Sequence, residues 1–294
     1  MNKPDEEPWS ILRLIDWTTR YLEEKGSESA RLDAEVLLAD VRKCSRIELY
    51  TAFDEVADTE TRNAYKALVQ RRATGEPVAY LVGHKEFYSR DFKVTSDVLI
   101  PRPETEFVVI AAVDYAAEQG WSHDLRIADI GTGSGILAVT LAKERPSWNV
   151  VATDIQAGAI TVADENVRAL GVASQVELRN GTFFAGETEE DQFDIVVSNP
   201  PYVTRIEYEA LPDTVRAYEP EVALVGGEQG TEIIEQLLEE SASRVRPAGA
   251  VIVEISPMIE QAVTRLVERH PAWRLHQVKK DHAGLSRVVV AVHQ

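Results

Sequence analysis

The sequence is short of cysteine and of long apolar runs. It has a single cysteine, Cys44, which excludes an internal disulfide framework and which we expect to be a small buried residue in a helix. No apolar run approaches the ~18 residues of a membrane span. Residues 1–7 are acidic and lack the basic start and apolar stretch of a signal peptide. These absences predict a cytoplasmic protein that does not contact a membrane.

Positive charge is also scarce. The chain has 31 Lys and Arg against 49 Asp and Glu, a net charge of −18. Surfaces that bind nucleic acids are usually basic, so a protein partner is favoured over direct contact with nucleic acid, unless a basic patch hides within the acidic total. No phosphate-binding loop ending in Gly-Lys-Ser/Thr occurs, which argues against nucleoside triphosphates. No metal site is predicted, and none of the six histidines is given a role.

The N-terminal part of the chain predicts a small all-helical module. Apolar residues recur at helical spacing through residues 9–83, and the fourth predicted helix, 59–73, has Ala64, Leu68 and Val69 facing inward. Nothing in this region has catalytic spacing. A packed helical cap and a role in recognition are equally good interpretations.

The remainder of the chain changes period. Residues 84–100 indicate a linking hairpin that turns at Ser89-Arg90, followed by a rigid Ile-Pro-Arg-Pro stretch at 100–103 that we expect to line a site. We therefore divide the chain into a helical domain 1–83, a linking hairpin 84–100 and a second domain 101–294.

The second domain alternates strands and helices. Strands are predicted near 125–130, 149–154, 175–179, 193–198, 250–256, 273–278 and 287–292. Helices are predicted near 103–119, 135–144, 157–170, 230–245 and 257–269. The alternation predicts an α/β fold, a doubly wound and mostly parallel sheet. The one long irregular segment, 203–230, has a length typical of functional loops or disorder.

A glycine-rich loop follows the first strand of this domain. Gly131-Thr132-Gly133-Ser134-Gly135 lies between that strand and a helix, so its backbone is expected to approach a ligand closely. The dinucleotide fingerprint needs glycine at the sixth position, where Ile136 stands. Glycine at positions one, three and five, with Asp129 two residues before, fits S-adenosylmethionine better than NAD.

Two further positions fit the same cofactor. Asp154 closes the next strand, where a carboxylate accepts hydrogen bonds from ribose hydroxyls. Its alternative role is to cap the helix that begins near Ala157. Phe183 and Phe184 follow the third strand and offer a face to the adenine ring, although core packing explains this pair nearly as well.

The most informative stretch is 193–202, a buried strand that ends abruptly in Asn199-Pro200-Pro201-Tyr202. Proline has no N–H, so this tip is poor in donors and rich in acceptors. The Asn199 side-chain oxygen and the Pro200 carbonyl together suit the two hydrogens of one NH₂ group, and Tyr202 offers a flat wall. We therefore predict Asn199, Pro200 and Tyr202 as catalytic, all four residues as substrate-binding, and Asn199 as also touching the cofactor. The alternative is that the prolines only end the strand and Asn199 caps the turn.

These motifs together resemble the HemK family, the glutamine methyltransferases that modify peptide-chain release factors. The resemblance spans most of the chain and rests on Gly75–Tyr80 with Gly83, Leu99–Glu106, Asp129–Gly135, Asn199–Tyr202, Glu219-Pro220, Ala223-Leu224, Gly226-Gly227, Asp281, Gly284 and Arg287. The sequence departs from the family pattern at Thr182, where many relatives have an acidic residue, and at Ser256, where a glycine is usual.

The resemblance implies a class I S-adenosylmethionine-dependent methyltransferase fold, a seven-stranded sheet with its last strand antiparallel, and an N-terminal domain that recognises the partner. It implies methyl transfer to the side-chain amide nitrogen of the glutamine in the Gly-Gly-Gln loop of class 1 release factors. A ribosomal-protein glutamine methyltransferase, an N6-adenine nucleic-acid methyltransferase and a non-catalytic binding module remain as alternatives. A monomer is expected.

Overall fold

The computed structural model describes residues 8–121, 124–187 and 191–294, and the chain divides into two compact units. The first contains the described residues up to Gly83 together with Asp213–Tyr218, and the second contains His84–Pro212 and Glu219–Gln294. Residues 1–7, where the sequence predicts no signal peptide, lie outside the described residues.

The grouping of Asp213–Tyr218 corrects the predicted second domain, 101–294. The Tyr218 hydroxyl donates to the Thr74 carbonyl at 3.3 Å. A Cβ at Gly75 would lie 3.1 Å from Thr214 Cγ2, so the missing side chain at Gly75 leaves room for this segment. A pairing between residues about 140 positions apart leaves no local signal in the sequence.

The first unit is all-helical, as predicted. Its helices are α1 (Ile11–Glu24), α2 (Ala30–Arg42), α3 (Arg46–Thr51), α4 (Thr59–Ala73) and α5 (Val78–Val82). Polar residues cap α1 and α4, because Ser10 accepts from the Arg13 N–H at 3.3 Å and Asp58 accepts from the Thr61 N–H at 2.7 Å. Cys44 is partly buried against the core of this unit.

The predicted inner face of α4 was wrong at one position. Ala64 is exposed, whereas Tyr65 is buried and donates from its hydroxyl to the Ala34 carbonyl at 3.0 Å. Leu68 and Val69 pack against the core as predicted. The larger aromatic side chain takes the inward position because it buries more apolar surface while its hydroxyl keeps a partner.

A hairpin opens the second unit. Strand β1 (His84–Phe87) pairs antiparallel with β2 (Arg90–Lys93), and Phe92 is fully buried in the core of this unit. Tyr88 and Ser89 form the turn with φ of 51° and 58°. The predicted turn at Ser89-Arg90 was therefore wrong by one residue, because a two-residue turn of this twist needs positive φ at both central positions.

A seven-stranded sheet organises the second unit. Its strands are β3 (Arg126–Ile130), β4 (Asn149–Asp154), β5 (Val176–Asn180), β6 (Phe193–Ser198), β9 (Val245–Glu254), β10 (Trp273–Lys280) and β11 (Ser286–His293). A separate short pair consists of β7 (Val203–Thr204) and β8 (Val225–Gly227). The sheet order is β10-β11-β9-β6-β3-β4-β5, with β11 antiparallel to both neighbours. This confirms the predicted doubly wound, mostly parallel fold with an antiparallel last strand.

Helices cover both faces of the sheet. They are α6 (Glu106–Glu118), α7 (Ile136–Glu144), α8 (Ala157–Ala169), α9 (Arg205–Ala210), α10 (Asp213–Arg216, in the first unit), α11 (Glu232–Ser241) and α12 (Glu260–Arg269). Alternate residues of the central strands enter one of two apolar cores, one on each face, and all six residues of β6 are buried. Among the described residues, no helix is both long and apolar enough to cross a membrane.

The direction of winding reverses between β3 and β6. The chain runs from β3 to β4 and β5 on one side, then returns to place β6 on the other side of β3. Ligands of doubly wound folds bind outside the carboxyl ends of the strands at such a switch point. Here the glycine-rich loop follows β3 and the Asn-Pro-Pro-Tyr tip follows β6, and the Ser198 hydroxyl joins the two strand ends by donating to the Ile130 carbonyl at 2.7 Å.

The segment 203–230 is not irregular, contrary to the prediction. Strand β7 pairs in parallel with β8, and α9 begins with a capping box. In it the Thr204 hydroxyl accepts from the Glu207 N–H at 3.1 Å, and the Glu207 carboxylate accepts from the Thr204 N–H at 2.9 Å. These elements are too short to show a hydrophobic period.

Candidate active site

The glycine-rich loop has the open backbone that the sequence predicts. Gly131 and Gly133 have φ of 74° and 56°, in the left-handed region that favours glycine. A Cβ at either position would have no described atom within 4 Å, so the space beside the backbone is open to a ligand. Gly135 differs, because a Cβ there would lie 3.4 Å from Ala163 Cβ. Gly131, Thr132, Gly133 and Ser134 line a common cavity, whereas Gly135 faces helix α8.

Asp129 holds the glycine-rich loop in place through hydrogen bonds. Its Oδ2 accepts from the Thr132 hydroxyl at 2.6 Å and from the Ala138 N–H at 3.0 Å, so it ties the loop to the start of α7. The side chain is fully buried, and burial raises the pKa of Asp129 to about 7. Its Oδ1 has no hydrogen-bond partner among the described residues.

Asp154 lies beside the same loop at the end of β4. Its Oδ2 accepts from the Gly133 N–H and its Oδ1 from the Gln156 N–H, both at 2.9 Å. Burial raises the pKa of this carboxyl. Residue Gln156, and not Asp154, is the N-cap of α8, so Asp154 lies two residues before the N-cap and lines the cavity.

The two phenylalanines after β5 have separate positions. Phe183 lines the cavity, with φ of 44°, and its carbonyl accepts from the Thr153 hydroxyl at 2.6 Å. Phe184 is buried in the core, where its ring lies 5.6 Å from that of Phe193. Phe183 is therefore the member of the pair that lines the cavity.

The residues of the Asn-Pro-Pro-Tyr tip also differ in whether they line the cavity. Asn199, Pro200 and Pro201 line the cavity together with the glycine-rich loop. Tyr202 is not among the lining residues, and its hydroxyl lies 3.3 Å from Glu254 Oε1. Burial and the nearby carboxylate raise the pKa of Tyr202.

Two polar residues behind the tip were not predicted. The Asn199 Nδ2 donates to Thr105 Oγ1 at 3.1 Å. Glu254, at the end of β9, accepts from the Tyr202 hydroxyl and interacts with the Thr105 side chain, and burial raises the pKa of its carboxyl to about 7. Thr105 belongs to the Pro-Arg-Pro-Glu-Thr-Glu stretch, which was a signal in the sequence, whereas nothing local distinguishes Glu254.

The cavity as a whole belongs to the second unit. It has a volume of about 380 Å³, within the range of roughly 300–1,000 Å³ for small-molecule sites. Pro101 and Arg102 line it, as expected for the rigid stretch 100–103. Lining residues that the sequence did not single out are Asp97, Val98, Ile155, Gln156, Ala159, Gly181, Val222, Ile233, Gln236 and Leu237. Most are apolar or lie on connecting turns, where the sequence carries little site signal.

No group of three or more His, Cys, Asp or Glu side chains that could hold a metal ion occurs in residues 8–121, 124–187 and 191–294. The charged groups of the cavity are instead Asp154 and Asp97, which are acidic, and the guanidinium of Arg102.

Comparison with known proteins identifies relatives over nearly the whole chain. Residues 13–83 match the PrmC N-terminal domain and residues 115–215 match the methyltransferase small domain. The chain is 46% identical over 288 residues to the release factor glutamine methyltransferase of Rhodopirellula baltica, covering 97% of each chain. It is 41% identical over 282 residues to the protein of the same name from Moorella thermoacetica, covering 96% of this chain and 98% of that one.

Solved structures of lower similarity share the fold. The catalytic domain of hMettl16, in complex with MAT2A 3′UTR hairpin 6, is 14% identical with a TM-score of 0.54 and covers 77% of this chain and 81% of that one. A methyltransferase from Pyrococcus furiosus is 18% identical with a TM-score of 0.50, covering 78% and 96%.

Proposed function

This chain belongs to the release factor glutamine methyltransferase family, and we propose that it transfers a methyl group from S-adenosylmethionine to the side-chain amide nitrogen of the glutamine in the Gly-Gly-Gln loop of class 1 release factors. One observation carries the proposal. The glycine-rich loop after β3 and the Asn-Pro-Pro tip after β6 line the same cavity at the switch point of the sheet.

The residues around the cavity fit the cofactor. Gly131 and Gly133 leave open space where a side chain would stand, which suits close approach of a ligand to the backbone. Asp154 retains acceptor capacity for ribose hydroxyls beyond its two backbone donors, and Phe183 offers an aromatic face for adenine. S-adenosylmethionine supplies, when bound, a methyl group activated by its attachment to a positively charged sulfur.

The tip would hold the substrate amide. An amide nitrogen is a poor nucleophile because its lone pair is delocalised into the carbonyl. The Asn199 Oδ1 and the Pro200 carbonyl accept its two hydrogens and fix the direction of the lone pair. Such positioning contributes up to ~7–11 kcal/mol in the best intramolecular cases. No strong base is needed beforehand, because the nitrogen becomes positively charged and strongly acidic once it has formed its new bond, and it then loses a proton to water.

The helical domain, residues 1–83, would recognise the release factor. Its α1 carries an exposed aromatic group in which Trp17, 46% exposed, stacks on Tyr21 at 5.2 Å between ring centroids. Aromatic residues are enriched in the buried centres of protein interfaces. We propose that the active unit is a monomer and that it acts in the cytoplasm on its release-factor substrate.

The test is transfer of labelled methyl from S-adenosylmethionine to purified substrates. These are a class 1 release factor, its Gln→Asn loop variant, a ribosomal protein mixture and duplex DNA. Label on the wild-type factor alone supports the proposal. Label confined to ribosomal protein or to DNA overturns the substrate assignment.

A matched pair of variants tests the tip in the same assay. Asn199→Ala should lower kcat by 100-fold or more while cofactor affinity stays within several-fold, since removing one oriented polar group typically costs about 10²–10³ in rate. Asn149→Ala, at the amino end of β4 and so at the opposite end of the parallel strands from the cavity, should leave the rate unchanged. A near-normal rate for Asn199→Ala would remove Asn199 from the mechanism.

A further inference from the structure

Behind Asn199 lies a short chain of hydrogen bonds that the proposed reaction has not used. The Asn199 Nδ2 donates to Thr105 Oγ1 at 3.1 Å. Thr105 is completely buried, and its hydroxyl interacts with the carboxyl group of Glu254, which is 2% exposed and whose Oε2 has no hydrogen-bond partner among the described residues. The Tyr202 hydroxyl lies on the same carboxyl group, 3.3 Å from Oε1.

The direction of this chain follows from the number of protons each group holds. An ionised carboxylate only accepts, and a threonine hydroxyl has one proton to donate. When Thr105 gives that proton to Glu254, its oxygen is left as an acceptor. The Asn199 amide must then present Nδ2 to Thr105, which turns Oδ1 to the other side.

We propose that Thr105 and Glu254 are positioning residues that hold the Asn199 amide with Oδ1, rather than Nδ2, toward the substrate nitrogen. This inference rests on the proposed function, because only an incoming NH₂ group needs an acceptor at that place. An amide rotated by 180° would instead set the two donors of Nδ2 against the two donors of the substrate. The orientation of the Asn199 amide therefore decides whether the site attracts or repels the NH₂ group of the substrate.

The charged groups around Glu254 determine whether its carboxyl group is ionised, and hence whether the orientation of the Asn199 amide is maintained. Glu104 and burial favour the neutral carboxyl, whereas Thr105, Tyr202 and the guanidinium of Arg287 favour the ionised one. The net effect raises the pKa of Glu254 to about 7. Arg287 is itself bonded to Asp281 at 2.8 Å. A neutral Glu254 has a proton to donate. The hydrogen bonds from Glu254 through Thr105 to Asn199 then reverse direction, which allows the Asn199 amide to turn.

The decisive variants change one atom group at a time. Thr105→Val keeps the shape of the side chain and removes the hydroxyl, whereas Thr105→Ser keeps the hydroxyl. Thr140→Val is the matched control, because Thr140 is also completely buried and its hydroxyl has no hydrogen-bond partner within the described part of the chain. Each variant is assayed with release factor and labelled S-adenosylmethionine, and its cofactor Kd is measured by calorimetry.

Thr105→Val should lower kcat tenfold or more, with the KM for release factor and the cofactor Kd within threefold of wild type. Thr105→Ser and Thr140→Val should stay within threefold in kcat. In the wild type, kcat should rise with pH through about 7, as Glu254 ionises, and Glu254→Gln should lose this rise. If Thr105→Val does not fold, the pH profile of Glu254→Gln decides alone.

The outcomes separate the two proposals. A wild-type enzyme that labels no release factor overturns the proposed function. A wild type that labels it normally, with kcat of folded Thr105→Val within threefold or with the pH rise intact in Glu254→Gln, overturns only the positioning role. A loss of cofactor affinity equal to the loss of kcat also overturns it, because that result indicates general damage to the site.

Discussion

Arg102 Nη2 lies 2.6 Å from Glu219 Oε1, although 117 residues separate them in the chain. The other oxygen, Oε2, accepts from the Ile100 N–H at 3.3 Å. The Glu219 side chain is only 2% exposed, whereas that of Arg102 is 36% exposed and reaches the cavity. This pair therefore joins two walls of the cavity, the rigid stretch 100–103 and the segment that begins at Glu219.

Glu219→Gln should destabilise the protein, because it weakens both bonds and leaves the Arg102 guanidinium without its charge partner. We expect the free energy of unfolding to fall by about 1–3 kcal/mol. Glu221→Gln is the matched control, since Glu221 forms an exposed pair with Arg205 and exposed pairs contribute about 0–1 kcal/mol. Urea denaturation of the three proteins measures the difference, and equal losses in both variants would contradict a special role for the buried pair.

Gly226→Ala should disturb the tip more than the fold. A Cβ at Gly226 would lie 2.4 Å from the Pro201 carbonyl oxygen and 2.9 Å from Tyr202 Cα, so the backbone of the tip has to move. We expect kcat to fall at least tenfold, because displacements of about 1 Å cost up to ~10²-fold in rate. Gly171→Ala is the control, since a Cβ there would meet no described atom within 4 Å and the strain at its φ of 68° falls on a residue that does not line the cavity. Steady-state kinetics of both variants provide the test, and an unchanged kcat in Gly226→Ala would show that the tip tolerates the shift.

Local patterns were enough to predict the parts of the site that each lie in one stretch of sequence. The glycine-rich loop, Asp154 and the tip follow strands whose apolar runs mark where they end, and parallel strands bring those ends to one edge. Thr105, Glu219 and Glu254 could not be assigned in this way, because their partners lie at least 52 residues away along the chain.

The errors in the predicted fold have the same origin. Tyr65 replaces Ala64 on the inner face because a tertiary contact to Ala34 decides between neighbouring positions on α4. The segment 203–230 holds strands of two and three residues that exist only because they pair with each other. Neither the strand pairing nor the contact to Ala34 changes the hydrophobic periodicity of a short stretch of sequence, so periodicity cannot predict them.

Asp154→Asn should weaken cofactor binding. The amide has one acceptor oxygen in place of two, so it cannot serve Gly133, Gln156 and a ribose hydroxyl together. We expect the cofactor Kd to rise roughly 10- to 100-fold, which corresponds to a lost charged hydrogen bond of about 1.5–3 kcal/mol. Asp164→Asn, on the exposed side of α8, is the control. Calorimetry measures both affinities, and a Kd within threefold of wild type would exclude Asp154 from the cofactor site.

Trp17→Ala should impair recognition without affecting the chemistry. Trp17 lies on the first unit, where its exposed ring contacts Trp9 and Tyr21. If the helical domain binds the release factor through this group, KM for that substrate should rise about tenfold while kcat and the cofactor Kd stay unchanged. Ile47→Ala removes another exposed apolar side chain, 75% exposed on α3, and should have little effect. A larger rise in KM for Ile47→Ala than for Trp17→Ala would move the recognition surface to α3.

Asp129→Asn should remove part of the pH dependence of stability. Burial raises the pKa of Asp129 from its ordinary value near 4 to about 7, so the folded protein binds this proton more tightly than the unfolded chain. The contribution of Asp129 to the free energy of unfolding is therefore fully present below pH 4 and is lost as the pH rises through about 7. Asparagine suits the site, because Thr132 and Ala138 both donate to one oxygen, Oδ2, and the amide oxygen replaces it. Between pH 5 and 7 the wild type should lose about 2 kcal/mol more stability than Asp129→Asn, at 1.36 kcal/mol per pKa unit. Urea denaturation at both pH values measures this difference, and parallel pH dependence in the two proteins would show that Asp129 titrates at an ordinary pKa.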